Sequence, residues 1–189
     1  MKLYLEKISK TPKPNFVVYT GGFNPWHNGH KAVYDEVAEK FGKDNVYVLT
    51  TDPEHKKKKN ERDIFSFDQK RRMIVGSGVP AHRVIELFGS GYRWEDFQKS
   101  IFKLDTQRPL IVVVGEDDAA RLTYGKYFKE YDDILTLKPM TEEGYFYVIK
   151  NKNREEFKAS KIRELIAQKK FKSLQSLVPP STIDVIKGM

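Results

Sequence analysis

At 189 residues, with 39% apolar and 13% aromatic side chains, the chain is long enough for one domain with a real core and too aromatic for a disordered segment. The absence of cysteine excludes disulfides, thiolate nucleophiles and cysteine–zinc sites and fits a reducing cytoplasm; no run approaches the roughly 18 apolar residues of a membrane helix, and the charged opening MKLYLEKISK lacks the apolar centre of a signal peptide. The net charge of +8 points to an anionic partner, either nucleic acid or phosphorylated small molecules, and composition does not choose between them.

In chain order, NFVVYT (15–20) predicts a buried strand that ends at Gly21 and Gly22. After NPWHNG, the segment HKAVYDEVAEKFG repeats Val33, Val37 and Phe41 at helical spacing and stops at Gly42. NVYVLT (45–50) is a second strand. Strand, helix and strand in this order form a βαβ unit and imply a parallel sheet. A basic loop, DPEHKKKKNERD, follows. Ser66 and Gln69 then make a capping box before a short helix in KRRMIVGSG.

RVIEL (83–87) predicts a strand, and WEDFQKSIFKLD (94–105) a helix with Phe97, Ile101 and Leu104 on one face. PLIVVVG (109–115) is the clearest buried strand. EDDAARLTYGKYF continues as helix and loop, and DILTL (133–137) and YFYVI (145–149) read as two more strands. Ser160 is placed to cap a helix through KIRELIAQ. FKSLQSL predicts another helix, stopped by Pro179 and Pro180, and STIDVIKG a last short one. The alternation predicts a Rossmann-like, doubly wound α/β fold with a parallel sheet, as a single domain with its core in 15–170 and a helical C-terminal extension, 171–189. Terminal helices of that kind serve subunit contacts in a homo-oligomer or cover a site, and both readings stay open.

The first strand-to-helix turn carries the chemistry. In such sheets ligands sit beyond the carboxyl ends of the strands, and a helix N-terminus offers unpaired N–H groups to an anion. Gly21 and Gly22 let backbone approach a ligand, and Gly29 frees space between His27 and His30. If the helix begins near Asn28, both imidazoles face one space. Two ring N–H donors there stabilise the charge that grows on a phosphorus atom as it becomes five-coordinate. They need not act as acid or base.

GGFNPWHNGH resembles the G-x-F-x-P-x-H-x-G-H signature of the nucleotidylyltransferase family, with Gly21 or Gly22, Phe23, Pro25, His27, Gly29 and His30 in its fixed positions. The family has a Rossmann-like fold and transfers a nucleotide monophosphate from a nucleoside triphosphate to a phosphorylated acceptor, releasing pyrophosphate. FKASKIR (157–163) is similar to the family's I-S-S-T-x-I-R. It matches at Ser160, Ile162 and Arg163 and departs at Phe157, Lys158 and Ala159. A serine at a helix N-terminus and an arginine fork suit the β- and γ-phosphates. PLIVVVGEDDAARL resembles the strand and G-x-D segment of mononucleotide adenylyltransferases, with Gly115 and Asp117 at the matching positions near base and ribose.

The resemblance implies His27, His30 and Arg163 as catalytic residues. It implies Gly21, Gly22, Phe23, Asn24, Gly29, Gly115, Asp117, Ser160, Ile162 and Arg163 for the nucleotide. The layout of DPEHKKKK is similar to the acceptor segment of pyridine mononucleotide and pantetheine-phosphate adenylyltransferases, which implies His55, Lys56 and Lys57 for the acceptor, with Trp94 as a ring to stack on. Core packing is the competing reading of Trp94, and a solvated loop that of the lysine run. The G-E-D-D segment favours ATP over CTP. The acceptor implied first is nicotinamide or nicotinic acid mononucleotide, a step of NAD biosynthesis, with pantetheine phosphate second. Mg²⁺ is implied as the cofactor, held through phosphates and water rather than by a protein cage. Two rivals stand beside this: a nucleic-acid-binding module, which leaves the histidines unexplained, and a regulator that binds nucleotide without turnover. A zinc site would need His55 or His82 to join the histidine pair through the fold.

Overall fold

The computed structural model describes residues 14–56, 61–122, 125–150 and 157–189. Its strands are β1 (Phe16–Thr20), β2 (Val46–Thr50), β3 (Val84–Glu86), β4 (Leu110–Gly115), β5 (Phe128–Glu130) and β6 (Gly144–Ile149). They form one six-stranded sheet in the order β3-β2-β1-β4-β6-β5, and every pairing is parallel. The helices are α1 (Asn28–Phe41), α2 (Phe67–Gly76), α3 (Trp94–Ser100), α4 (Glu116–Leu122), α5 (Ala159–Ala167), α6 (Phe171–Leu174) and α7 (Pro180–Lys187).

The unbroken apolar runs of β1 and β4 are explained by burial on both faces. Val17, Ile111 and Val113 face a core shared with residues of α1, α2, α5, α6 and α7. Phe16, Val18, Leu110, Val112 and Val114 face a second core built with Phe97 of α3 and Leu122 of α4. The chain thus winds on both sides of the sheet, as a Rossmann-like fold does. The order reverses between β1 and β4, so a crevice opens at their carboxyl ends, where Gly21 and Gly115 lie. No helix among the described residues is long and apolar enough to cross a membrane.

The Ser66–Gln69 capping box forms at the start of α2, with Gln69 N–H on Ser66 Oγ at 3.3 Å and Ser66 N–H on Gln69 Oε1 at 2.9 Å. Four elements differ from the sequence reading. The strand expected at 133–137 lies earlier, at Phe128–Glu130. The Asp132 carboxylate accepts the Ile134 N–H at 3.2 Å and folds DILTL into a turn, with Ile134 87% exposed. Gly144 leaves room for the Tyr127 and Phe128 rings beside β6, since a Cβ there would sit 2.5 Å from Tyr127. α3 stops at Ser100, whose hydroxyl turns back to the Asp96 carbonyl at 2.8 Å and accepts the Phe88 N–H at 2.9 Å, a bond pattern that competes with helix continuation. The helix expected in FKSLQSL covers only Phe171–Leu174. Lys158, not Ser160, is the residue before α5, and no side chain caps that helix; Ser160 is its exposed second residue.

The C-terminal residues are part of the main core. Leu174, Leu177, Val178, Ile183, Val185 and Ile186 are buried in it. Full burial of one such side chain contributes about 1.5–3 kcal/mol. Pro180, expected as a stop, opens α7, where its missing N–H costs nothing.

Candidate active site

His27 is the residue before α1 and His30 its third residue, and the two cap each other. The His30 N–H donates to His27 Nδ1 at 3.2 Å, and the His27 N–H donates to His30 Nδ1 at 3.4 Å. This is the reciprocal logic of a capping box, built from imidazoles instead of serine and glutamate. Each ring accepts through Nδ1, so the proton of each neutral ring sits on Nε2. The rings stack with centroids 3.5 Å apart and 18° between planes. Burial pushes His27 down to about 4, and burial together with His27 holds His30 well below the ordinary histidine value. Both are therefore neutral Nε2–H donors at physiological pH.

Aromatic rings fix the pair in place. Phe23 meets His30 edge-on at 4.9 Å, and Trp26 lies 5.5 Å from it. Phe23 has φ of +42°, a conformation that costs a side-chain-bearing residue energy and persists because its buried ring is held by Tyr19, Trp26 and His30. Gly21 is required by that ring, because a Cβ there would sit 2.6 Å from it. Gly29 is required by two neighbours: a Cβ would sit 2.9 Å from Phe157 Cβ and 3.1 Å from His27 Nδ1. Trp26 is anchored by its indole N–H on Ser77 Oγ at 3.0 Å.

His30 opens onto a cavity of about 280 Å³ lined also by Gly22, Phe23, Asn24, Lys56, Arg62, Asp63, Ala159 and Arg163. The fold thus brings residues from β1–α1, the basic loop and the start of α5 to one place. Arg163 donates to the Asn24 carbonyl at 2.8 Å, and its guanidinium is partly buried beside Arg62, which together lower its affinity for its proton without discharging it. The uncapped first turn of α5 enters the cavity at Ala159, which leaves backbone N–H donors there for an anion. Lys56 pairs with the buried Asp63 carboxylate at 2.6 Å, and the Asn24 amide N–H reaches the same oxygen at 3.3 Å. Ile162 is buried in the main core, so it seats α5 rather than facing the cavity.

Lys56 also lines a neighbouring cleft of about 460 Å³ with Thr51, Asp52, His55, Leu87, Phe88 and Gly89. His55 pairs through Nδ1 with Glu86, which raises its pKa, and its ring lies 5.5 Å from that of Phe88. Asp52 accepts the Phe67 N–H at 2.7 Å and the Glu54 N–H at 2.8 Å, and the buried Lys70 ammonium donates to the Thr51 carbonyl at 2.8 Å. Those bonds fix the loop that carries His55 and Lys56. Desolvation lowers Lys70 to about 8. The far wall is set by Asp96, 5% exposed, which accepts the Ser90 N–H at 2.8 Å and packs under Gly89.

Residues 18–165 match a family model described as Cytidylyltransferase-like. The chain belongs to the cytidylyltransferase-like family. It is a nucleotidylyltransferase. A nicotinamide-nucleotide adenylyltransferase of Sulfurisphaera tokodaii is 25% identical over 181 residues, which is 90% of this chain and 89% of that protein. Among solved structures, Thermotoga maritima TmcAL bound with alpha-thio ATP superposes with a TM-score of 0.61 at 15% identity over 92% of this chain, which spans 55% of that protein's length. Plasmodium falciparum nicotinic acid mononucleotide adenylyltransferase complexed with NaAD superposes with a TM-score of 0.59 at 15% identity, covering 92% of this chain and 95% of its own. Those two likenesses concern the fold.

In this nucleotidylyltransferase the other sequence-derived residues fall as follows. Gly115 ends β4 in open space, where a Cβ would meet nothing within 4 Å, and Asp117 is exposed on α4. Trp94 packs against the second core and does not line the cleft beside His55. Lys57 lies outside the described residues. Arg62, Asp63 and Phe88 were not singled out from the sequence. The first two lie three and four residues beyond the last lysine of the run and read as part of a solvated loop; Phe88 has no pattern around it beyond being an apolar residue left 44% exposed.

Among the described residues no group of three or more His, Asp or Glu side chains is placed to hold a metal ion. The cavity does offer oxygen: the Asp63 carboxylate, and Asn24 Oδ1, which is buried with no partner in the structure. That donor set fits a hard divalent cation that arrives on a triphosphate and keeps most of its waters.

Proposed function

We propose that this nucleotidylyltransferase transfers AMP from ATP to a pyridine mononucleotide, nicotinamide or nicotinic acid mononucleotide, and releases pyrophosphate, a step of NAD biosynthesis. The observation that carries the reading is the pair of neutral imidazoles whose Nδ1 atoms are consumed by mutual capping, with His30 lining a cavity shared with Arg163 and Lys56. An Nε2–H is the donor that a phosphate oxygen gaining charge requires.

A phosphate oxygen of the acceptor, already anionic, attacks the α-phosphorus. A new P–O bond forms, the bond to the bridging oxygen breaks, and pyrophosphate leaves with the electron pair. No proton has to be removed from the nucleophile, so the low histidine pKa values are no handicap. His27 and His30 donate to the α-phosphate as it becomes five-coordinate. Arg163 and the N–H groups opening α5 hold the β- and γ-phosphates. Asn24 and Asp63 would hold Mg²⁺ through water, and the ion would supply counter-charge for the pyrophosphate. Gly22, which lines the cavity, allows the phosphates close approach, and Gly29 serves the packing of His27 against Phe157.

The cleft at His55, Lys56 and Phe88 takes the acceptor. Lys56 lines both cavities, as a group that positions the acceptor phosphate next to the α-phosphorus should. The exposed Phe88 ring offers the flat surface for a pyridine that Trp94, packed on the core, was expected to offer. The relatedness to a nicotinamide-nucleotide adenylyltransferase supports this acceptor.

The test is pyrophosphate release with ATP or CTP against nicotinamide mononucleotide, nicotinic acid mononucleotide and pantetheine phosphate, with the dinucleotide product identified by mass. Release with ATP and a pyridine mononucleotide is the expected result. Turnover confined to CTP or to pantetheine phosphate overturns the donor or the acceptor assignment. Nucleotide binding without release from any pair overturns the enzymatic reading of the site.

A further inference from the structure

We propose that Thr182, in α7 and beyond the segment shared with the family, is a positioning residue for the histidine pair. Thr182 is fully buried, and its hydroxyl donates to the Trp26 carbonyl at 3.0 Å. That carbonyl and the His27 N–H are the two ends of one planar peptide unit. The N–H end donates to His30 Nδ1 at 3.4 Å. Thr182 therefore holds one end of the peptide whose other end selects the His30 tautomer.

The next peptide is held from the same side. The Asn28 N–H, one of the donors a helix start leaves unpaired, goes to the Leu177 carbonyl at 2.9 Å, and the Asn28 side-chain amide to the Ser176 carbonyl at 3.0 Å. Both peptides flanking His27 are thus bonded to residues 176–182. The segment is itself fixed on α2, where Ser181 Oγ donates to the Met73 carbonyl at 2.8 Å and sits so close to Gly76 that a Cβ there would lie 2.5 Å from Ser181 Cβ.

If the Trp26–His27 peptide turns, His30 Nδ1 loses its donor and competes for the ring proton. The Nε2–H then aimed at the cavity is populated only part of the time. That loss is specific to the step in which charge builds on phosphorus, so it lowers turnover and leaves substrate affinity alone. This inference rests on the transfer reaction proposed above for its kinetic test, but its structural content, the His30 tautomer, does not.

The experiment compares Thr182→Val, which keeps the shape and removes the hydroxyl, with Thr182→Ser, which keeps the hydroxyl and removes a methyl. Thr182→Val should lower kcat by about tenfold with both KM values within about twofold of wild type, while Thr182→Ser stays within about twofold throughout. A packing role reverses the order, with Ser the worse of the two, and that order, or a fully active Val variant, overturns the proposal. If the Val variant does not fold, Thr182→Ala takes its place, read against Thr182→Ser, from which it differs only by the hydroxyl, with the same expectation. Histidine-selective ¹⁵N spectra supply the second readout: His30 should carry its proton on Nε2 in wild type and Ser, and show a mixed or Nδ1–H form in Val. An unchanged His30 spectrum in Val overturns the proposal. If wild type releases no pyrophosphate from any pair, the proposed reaction has failed, and the spectra alone decide the role of Thr182.

Discussion

The two ends of the cavity beside His30 are built in opposite ways. At the β1–α1 turn each histidine caps the other, the rings of Phe23, Trp26 and Phe157 flank the pair, and the C-terminal segment bonds the flanking backbone. At the start of α5 the helix is uncapped, Ser160 is exposed, and Arg163 is tied to a backbone carbonyl. Preorganised donors are worth most where charge develops in the transition state, since they need no reorganisation at that moment. A triphosphate tail brings its own charge and needs counter-charge more than geometry. In the proposed reaction the rigid end should govern rate and the open end affinity.

His30→Ala breaks the rigid end directly. It should lower kcat by about 100-fold or more, measured as pyrophosphate release, with smaller changes in KM. Acid should act on the same end. His27 falls to about 4 in the folded protein and His30 lies well below 6.5, while both return to the ordinary value on unfolding. Between those values the unfolded chain binds more protons, so stability is lost as pH falls from about 6.5 toward 4, at up to about 1.4 kcal/mol per unit for each histidine. The exposed His55–Glu86 pair has the opposite sign and fades as pH rises above 6.5. Denaturant midpoints at pH 7, 6 and 5 read the balance, and replacing His27 by glutamine should flatten the fall.

The open end gives smaller effects. Arg163→Ala should raise KM for the triphosphate about tenfold while changing kcat less, since it grips a group that is charged before and after transfer. A change confined to acceptor KM would move Arg163 to the other cavity. Lys56→Ala should raise acceptor KM by about fivefold, because its partly exposed charge, already paired with Asp63, is shared with the acceptor phosphate in the proposed complex. Ser160→Ala should stay within about twofold in every constant, because the hydroxyl caps nothing. A large Ser160 effect would mean that the second region is as preorganised as the first.

How much of this was legible beforehand follows from what each contact is made of. The Ser66–Gln69 box could be read because both partners are residues known for that job and lie three apart. The His27–His30 pair has the same spacing, yet its mutual cap was not visible, since histidine is not an ordinary capping residue. The parallel sheet was legible from continuous apolar runs, but β5 was not. Its sequence, Phe-Lys-Glu, has one apolar residue, and an edge strand needs no more, while the apolar DILTL was read as the strand and is a turn. The grip of 176–182 on the histidine loop could not be read at all. It runs largely through backbone carbonyls, which carry no mark in the sequence. Arg62 and Asp63 were hidden by the lysine run before them, and Phe88 by standing alone.

The protonation of the two imidazoles decides whether this turn can serve a phosphate. Histidine-selective ¹⁵N spectra recorded from pH 8 to pH 5 report it directly. Both His27 and His30 should remain neutral with the proton on Nε2 through that range, while His55 titrates above the ordinary value. Titration of either member of the pair near 6.5, or a proton resident on Nδ1, would contradict the mutual cap and the phosphate chemistry built on it.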